Sequence, residues 1–290
     1  MKFIKPNVEI LEQTSGLQGV YNAICEAAST CYQSVPKSGE QAKTFVDTLI
    51  KNGHMAMLEF GTVYLTIPWN DYDSDSDISE WISENTGCPY IEIFFNGPNI
   101  YITTNLRYLI EKEIWDIVMK YMVEPTEYHP RRHTVRFNIS IGTGREFLRH
   151  RVFSFANEST RFCSYKSDKF DKQVTFIIPS WCTIEEGGYN NPLSPLKSNK
   201  SSDKDFILSW ACYEAEKFYF DMLEAKCSPQ EAREALPLCT KSTLCMCGFE
   251  EDWRHFFELR KDGTTGKPHP DAYYAASLLW EKFKNKGIIL

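Results

Sequence analysis

A segment from Arg145 to Arg161 constrains the fold of this chain more than any other, because charged and apolar side chains interleave in it. Within seventeen positions it has four arginines, one histidine, two glutamates and three hydroxyl residues. The apolar residues between them are Phe147, Leu148, Val152, Phe153 and Phe155. Burial of these residues draws charged groups towards the interior, where an unpaired ion is costly. The segment therefore needs anionic partners, which are either protein carboxylates at a salt-bridged helix end or the phosphates of a bound nucleotide.

Hydrophobic spacing along the rest of the chain predicts an α+β fold, with helices packed on an antiparallel sheet, in one domain over 1–290. The predicted helices are 17–32, 40–52, 106–121, 203–226, a short one from 229, 250–260 and 270–284. The predicted strands are 62–67, 90–95, 99–103, 134–140 and 174–178. We expect a solvated acidic loop at 70–77, a break at 142–144, an irregular stretch at 150–173 and a loop at 187–204.

Composition narrows the possible functions. The formal net charge of −7 argues against a nucleic-acid-binding protein. The sequence contains no run of about 18 apolar residues, so no membrane span is predicted. The ten cysteines form no C-x-x-C pairs of the kind that hold zinc. Reduced thiols and a cytoplasmic location are the expectation, with no metal site and no membrane partner.

The spacing inside the arginine-rich segment resembles one family. Arg149-His150-Arg151, then seven residues, then Ser159, is similar to the signature of flavin-dependent thymidylate synthases, and Glu158-Ser159-Thr160-Arg161 continues it. Further similar stretches are 27–32, 52–60, 228–233, 253–260 and 269–272. Relative to compact members, 68–130 looks like an insertion. The resemblance implies a mixed α+β fold and a homotetramer with its sites at subunit interfaces.

The resemblance also implies a reaction: methylation of dUMP to dTMP, with methylenetetrahydrofolate as carbon donor, FAD as cofactor and NADPH as reductant. Arg260 is the implied catalytic residue, placed beside the uracil ring. The implied dUMP-binding residues are Glu146, Arg149, Glu158, Ser159, Thr160, Arg161, Arg233 and Arg260. The implied FAD-binding residues are Arg149, His150, Arg151, Asn157, His255 and His54.

Several alternatives stay open. His54 could be an ordinary turn histidine, and Ser159 could be proposed as a nucleophile, although no G-x-S-x-G elbow supports that reading. Cys163 could be proposed as a thiolate that attacks uracil, but we interpret it as structural. The run Arg131-Arg132-His133 is predicted to lie at the surface, with folate glutamates or NADPH phosphates as its alternative ligands.

Departures from the family pattern lie mostly around the implied flavin site: Cys31, Ala56, Phe60, Phe249 and Glu251. They leave two other functions to weigh. One is a related flavin enzyme that methylates another pyrimidine nucleotide such as UMP. The other is a homologue that binds nucleotide or flavin without catalysis, against which the presence of Arg233 and Arg260 argues.

Overall fold

The computed structural model describes residues 1–159, 165–167, 171–193 and 204–288. Its strands are β1 (Lys2–Ile4), β2 (Asn7–Leu11), β3 (Thr62–Pro68), β4 (Glu92–Asn96), β5 (Asn99–Asn105), β6 (Arg132–Ser140), β7 (Ser154–Asn157), β8 (Thr175–Ile177), β9 (Gly187–Gly188) and β10 (Lys241–Phe249). Its α-helices are α1 (Gly16–Tyr32), α2 (Glu40–Lys51), α3 (Trp69–Ser74), α4 (Ser76–Asn85), α5 (Leu106–Glu111), α6 (Trp115–Val118), α7 (Ile141–Phe147), α8 (Lys204–Glu224), α9 (Pro229–Ala232), α10 (Glu250–Phe257) and α11 (Pro270–Asn285). The α+β prediction is confirmed.

The sheet that positions the arginine-rich segment is antiparallel, in the order β2-β6-β10-β7. Strand β10 lies between β6 and β7, with Cys245 opposite Arg136 on one side and Ala156 on the other. The prediction missed this strand. Its run Lys241–Phe249 shows no apolar–polar alternation, because both of its faces are covered.

The two faces of β10 contact different groups of side chains. Leu244 and Met246 pack against the aromatic core around Trp253, which α10 and α11 complete. Cys245 and Cys247 point to the other face, and the Cys245 Sγ lies 3.2 Å from the hydroxyl of Thr30 in α1. The sheet is therefore buried between layers of helix, which holds its strand ends in fixed positions.

A second antiparallel sheet, in the order β3-β5-β4, packs with α1, α2 and α4–α6 around its own apolar core. It includes most of the predicted insertion at 68–130. The loop predicted at 70–77 is wrong, because α3 and α4 cover this stretch. The Asp75 carboxylate accepts hydrogen bonds from the backbone N–H groups of Asp77 and Ile78, so it caps α4.

The third sheet, in the order β8-β1-β9, packs against α8. Strands β1 and β8 run parallel, with Phe3 opposite Phe176. The N-terminal ammonium group lies 2.8 Å from the Glu216 carboxylate of α8, which ties the first residue to this unit.

The break of the strand predicted at 142–144 is confirmed, because β6 ends at Ser140 and α7 follows it. The Ser140 hydroxyl caps α7 by accepting from the N–H of Thr143. Three other predictions need correction. The helix expected over 106–121 is broken near Glu113, whose φ of 55° lies in the left-handed region. The irregular stretch at 150–173 contains β7, and the loop at 187–204 begins with β9; residues 194–203 lie outside the described part.

Candidate active site

Helix α7 forms a wall between two clefts, because neighbouring residues on a helix point about 100° apart. Ile141 and Arg145 line one cleft, of about 440 Å³, which also contains Arg233 and is called the Arg233 cleft here. Glu146, followed after the helix by Arg149, lines the other, of about 620 Å³, which also contains Arg260 and is called the Arg260 cleft. Two residues adjacent in sequence, 145 and 146, therefore belong to different clefts.

The guanidinium group of Arg260 is held by three hydrogen bonds. Its Nε donates to the Nε2 of His150 at 2.9 Å, and its Nη1 donates to the Glu146 carboxylate at 3.0 Å. Its Nη2 donates to the backbone carbonyl oxygen of Glu146. The side chain is only 13% exposed, so Arg260 is a largely buried cation with one fixed orientation at the cleft wall.

His150 is a neutral imidazole in this arrangement. Its pKa is lowered to about 4, first by burial and then by electrostatic interaction with Arg260, His255 and Arg149, in that order. An arginine cannot accept a hydrogen bond, so Nε2 of His150 must be unprotonated and its proton lies on Nδ1. The ring is enclosed by Phe256, with ring centroids 5.1 Å apart. His150 thus orients Arg260 without adding a second positive charge.

The remaining predicted residues of the Arg260 cleft lie at its mouth. Arg149 and Arg151 are exposed, and Arg149 Nη1 lies 3.7 Å from the Glu146 carboxylate. His255 is also exposed, and its ring centroid lies 6.3 Å from that of His150. The structure therefore brings together six predicted residues here: Glu146, Arg149, His150, Arg151, His255 and Arg260.

The Arg233 cleft gathers four more predicted residues: Asn157, Glu158, Ser159 and Arg233. Asn157 ends β7, and its side-chain oxygen accepts from the hydroxyl of Ser242 in β10 at 2.9 Å. The backbone N–H of Ser159 donates to the carbonyl oxygen of Cys31 at 3.0 Å, which fixes the chain just beyond the strand. The cleft is thus lined by hydroxyl, amide and guanidinium groups together with the carboxylates of Glu158 and Glu234.

Glu158 is the buried member of this cleft. Its side chain is fully buried, and its Oε2 accepts from Lys241 Nζ at 2.7 Å and from the backbone N–H of Thr243 at 2.9 Å. Its Oε1 has no hydrogen-bond partner among the described residues. Lys241 was not singled out from the sequence, since it precedes an apolar run and has no nearby motif. The pair joins β7 to β10 at the base of the cleft.

Three predicted residues are not placed in either cleft. His54 is exposed just before the 3-10 helix Met55–Phe60 and lines neither cleft. Thr160 and Arg161 lie outside the described residues, as does Cys163. The roles of these residues stay predictions.

The three residues of the run Arg131-Arg132-His133, predicted to lie at the surface, are partly buried and partly exposed at and just before the start of β6. They line a separate cavity of about 520 Å³ between the second sheet and the first. Arg132 Nη1 donates to the carbonyl oxygen of Glu59, and His133 Nε2 lies 2.9 Å from the Glu250 carboxylate. Arg132 Nη1 also donates to the hydroxyl of Thr62 in β3 at 3.2 Å, and this bond joins the two sheets.

The comparison with known families decides where the chain belongs. The model of the family described as "Thymidylate synthase complementing protein" matches residues 129–286, which is more than half of the chain. The chain belongs to this family. The match contains both clefts.

Two curated relatives carry a related name. A probable flavin-dependent thymidylate synthase of Paramecium bursaria Chlorella virus 1 is 27% identical over 184 residues, which cover 61% of this chain and 74% of the relative. The flavin-dependent thymidylate synthase of Synechocystis sp. is 29% identical over 197 residues, which cover 64% and 79%. Among solved structures, the UMP/dUMP methylase PolB from Streptomyces cacaoi with 5-Br dUMP bound gives a TM-score of 0.43 at 14% identity, over 98% of this chain and 93% of that one.

Two residues just before Trp253 differ from the family pattern, Phe249 and Glu251, and both lie away from the Arg260 cleft. Phe249 is buried, and the Arg132 guanidinium carbon lies 5.5 Å from the centroid of its ring. Glu251 forms an ion pair with Arg254 on the exposed side of α10. Both residues therefore contribute to packing and to the surface of the helix in this chain, and neither lines the cleft.

The described part of the chain contains neither a metal-binding cluster nor a membrane-spanning helix. No group of three or more His, Cys, Asp or Glu side chains is arranged to hold a metal ion. No described helix is both long and apolar enough to cross a membrane. The nine described cysteines are free thiols, and the Sγ atoms of Cys212 and Cys239 lie 3.5 Å apart.

Proposed function

We propose that this protein is a flavin-dependent thymidylate synthase that converts dUMP to dTMP with methylenetetrahydrofolate as carbon donor. FAD is the proposed cofactor and NADPH the proposed reductant. The observation that carries the proposal is the fixed and largely buried guanidinium of Arg260 in a cleft that also contains Arg149, His150 and Arg151. The names of the curated relatives and the family match support it.

The proposed role of Arg260 is electrostatic. A guanidinium beside the uracil ring stabilises the negative charge that develops on the ring when C5 acts as a nucleophile. Arg260 cannot give up its own proton near neutral pH, so it acts as a fixed positive charge. The hydrogen bonds that Arg260 donates to Glu146 and to neutral His150 orient it before substrate arrives, and a preoriented donor needs no rearrangement during the reaction.

The donors around the Arg260 cleft fit a flavin dinucleotide. The cleft is lined by the cationic side chains of Arg149, Arg151 and Lys267 and by His255, whereas Glu146 already accepts from Arg260. Guanidinium groups bind phosphate oxygens in pairs, which suits a diphosphate. When bound, reduced FAD supplies the hydride that completes the new methyl group. The protein's part is to bind, orient and polarise.

We further propose that the complete site forms between copies of the chain, in a homo-oligomer that we expect to be a tetramer. The family resemblance implies that one nucleotide contacts both Arg260 and the loop containing Ser159. In a single chain these residues line different clefts on either side of α7. An assembly that places the Arg233 cleft of one subunit against the Arg260 cleft of another would unite them. Sedimentation velocity of the purified protein tests this, and a monomer that makes dTMP would contradict it.

An Arg260→Ala variant tests the catalytic proposal. We expect it to retain the yellow flavin spectrum of the wild-type protein, because Arg149 and Arg151 remain, and to lose about 10²- to 10³-fold in dTMP formation, the usual effect of removing one preorganised donor. Arg254→Gln is the matched control, since Arg254 lies in α10 outside both clefts and pairs with Glu251. Wild-type turnover by Arg260→Ala would reject the role of Arg260. Failure of the wild-type protein to oxidise NADPH with FAD and dUMP would favour a non-catalytic homologue.

The same assay separates dUMP from UMP. The two nucleotides differ only at the 2′ position of the ribose, so they are compared side by side at equal concentration. Faster methylation of dUMP supports the proposed reaction. Faster methylation of UMP identifies the protein as the related nucleotide methylase instead.

A further inference from the structure

Arg145 is the first arginine of the arginine-rich segment, and the family resemblance assigns it no role. It lies in α7, four residues after Ile141 and therefore on the same face of the helix. That face lines the Arg233 cleft, whereas Glu146 and Arg149 line the Arg260 cleft on the other side of α7. Arg145 is exposed, so its guanidinium is accessible from the cleft.

The charges in this cleft leave Arg145 without an acidic partner among the described residues. The cleft contains two carboxylates. Glu158 is buried and pairs with Lys241, and the Glu234 carboxylate lies 3.6 Å from Arg233 Nε. No described carboxylate lies within ion-pair distance of Arg145. An anion that enters the cleft therefore encounters a guanidinium that donates to none of the described residues.

We propose that Arg145 binds the 5′-phosphate of the pyrimidine nucleotide, together with Arg233 and the hydroxyl group of Ser159. This inference rests on the proposed function and adds a residue to its substrate site. A phosphate dianion is the ligand best matched to this cleft, because an arginine fork donates two parallel N–H groups to phosphate oxygens and a serine hydroxyl adds a third donor. The base and the sugar carry no charge that Arg145 could neutralise.

The test compares two ligands that differ only in the phosphate. Dissociation constants for dUMP and for deoxyuridine are measured by calorimetry on the full-length wild-type protein and on Arg145→Gln. We expect Arg145→Gln to weaken dUMP binding about 10- to 100-fold, the usual range for one lost charge-assisted bond. Deoxyuridine binding should stay within about twofold. Arg145→Lys should recover part of the loss, because it keeps the charge without the fork.

Arg254→Gln is the control for removal of an exposed arginine, and it should bind both ligands as the wild type does. Equal weakening of dUMP and deoxyuridine by Arg145→Gln would mean that Arg145 only supports the local fold, and it would overturn the inference. Unchanged dUMP binding would overturn it too, while the proposed function would stand. If the wild-type protein does not bind dUMP, the proposed function fails and the inference with it.

Discussion

Lowering the pH from about 7 to about 5 should destabilise this protein through one buried histidine. His150 has a pKa of about 4 in the folded chain, chiefly because it is buried and secondly because Arg260 is beside it. In the unfolded chain its pKa is about 6.5. Between about pH 6.5 and pH 4, His150 is protonated in the unfolded chain but stays mostly neutral in the folded chain. The stability contributed by the neutral ring is therefore complete above that pH and is lost as the pH falls towards 4.

The size of the effect follows from the two pKa values of His150. The full difference of about 2.5 units corresponds to about 3 kcal/mol. At pH 5 the unfolded ring is almost fully protonated while the folded ring is mostly neutral, so the free energy of unfolding should fall by about 2 kcal/mol relative to pH 7. His150 is 7% exposed, so solvent screening reduces this value little.

Urea unfolding at fixed protein concentration, followed by tryptophan fluorescence, measures this loss. The reference is His150→Gln, whose amide oxygen can accept from Arg260 Nε but does not titrate. Carboxylates elsewhere titrate in both proteins, so only the difference between them reports on residue 150. We expect the wild type to lose about 2 kcal/mol more than the variant between pH 7 and pH 5. Equal losses would show that His150 is not held neutral and would refute the reasoning.

Two further substitutions test how the clefts are supported. Lys241→Met leaves the buried carboxylate of Glu158 without its cation and should lower the free energy of unfolding by about 3 to 5 kcal/mol, as measured by urea titration. The double variant with Glu158→Gln should regain most of the lost stability. If it regains none, the unpaired charge is not the cause of the loss. Gly248→Ala would place a Cβ 2.7 Å from the Phe153 ring, which packs with ring centroids 4.6 Å apart against Trp253. The melting temperature should fall, by an amount equivalent to about 1 to 3 kcal/mol, and an unchanged value would show that Phe153 can move aside.

Local sequence was enough to predict most of the described helices, but only five of the ten described strands. Elements with one buried face show their period in the chain, as Val135, Phe137 and Ile139 do in β6. Strand β10 was missed for the opposite reason, since burial on both faces removes the alternation. The acidic stretch around Asp75 was misread as a loop because a carboxylate that caps a helix looks like a solvated one until the helix is seen.

The sequence by itself determined the family that this chain resembles. The spacing from Arg149 to Ser159 and the arginines at 233 and 260 can be read from it without knowledge of the fold. Only the tertiary structure decided how those residues are divided. Helix α7 sends positions 145 and 146 into different clefts, and Arg260 meets His150 across 110 positions of sequence. Burial and charge at a site depend on groups distant along the chain, so the proton state of His150 follows from the packing and could not be read from its neighbours in sequence.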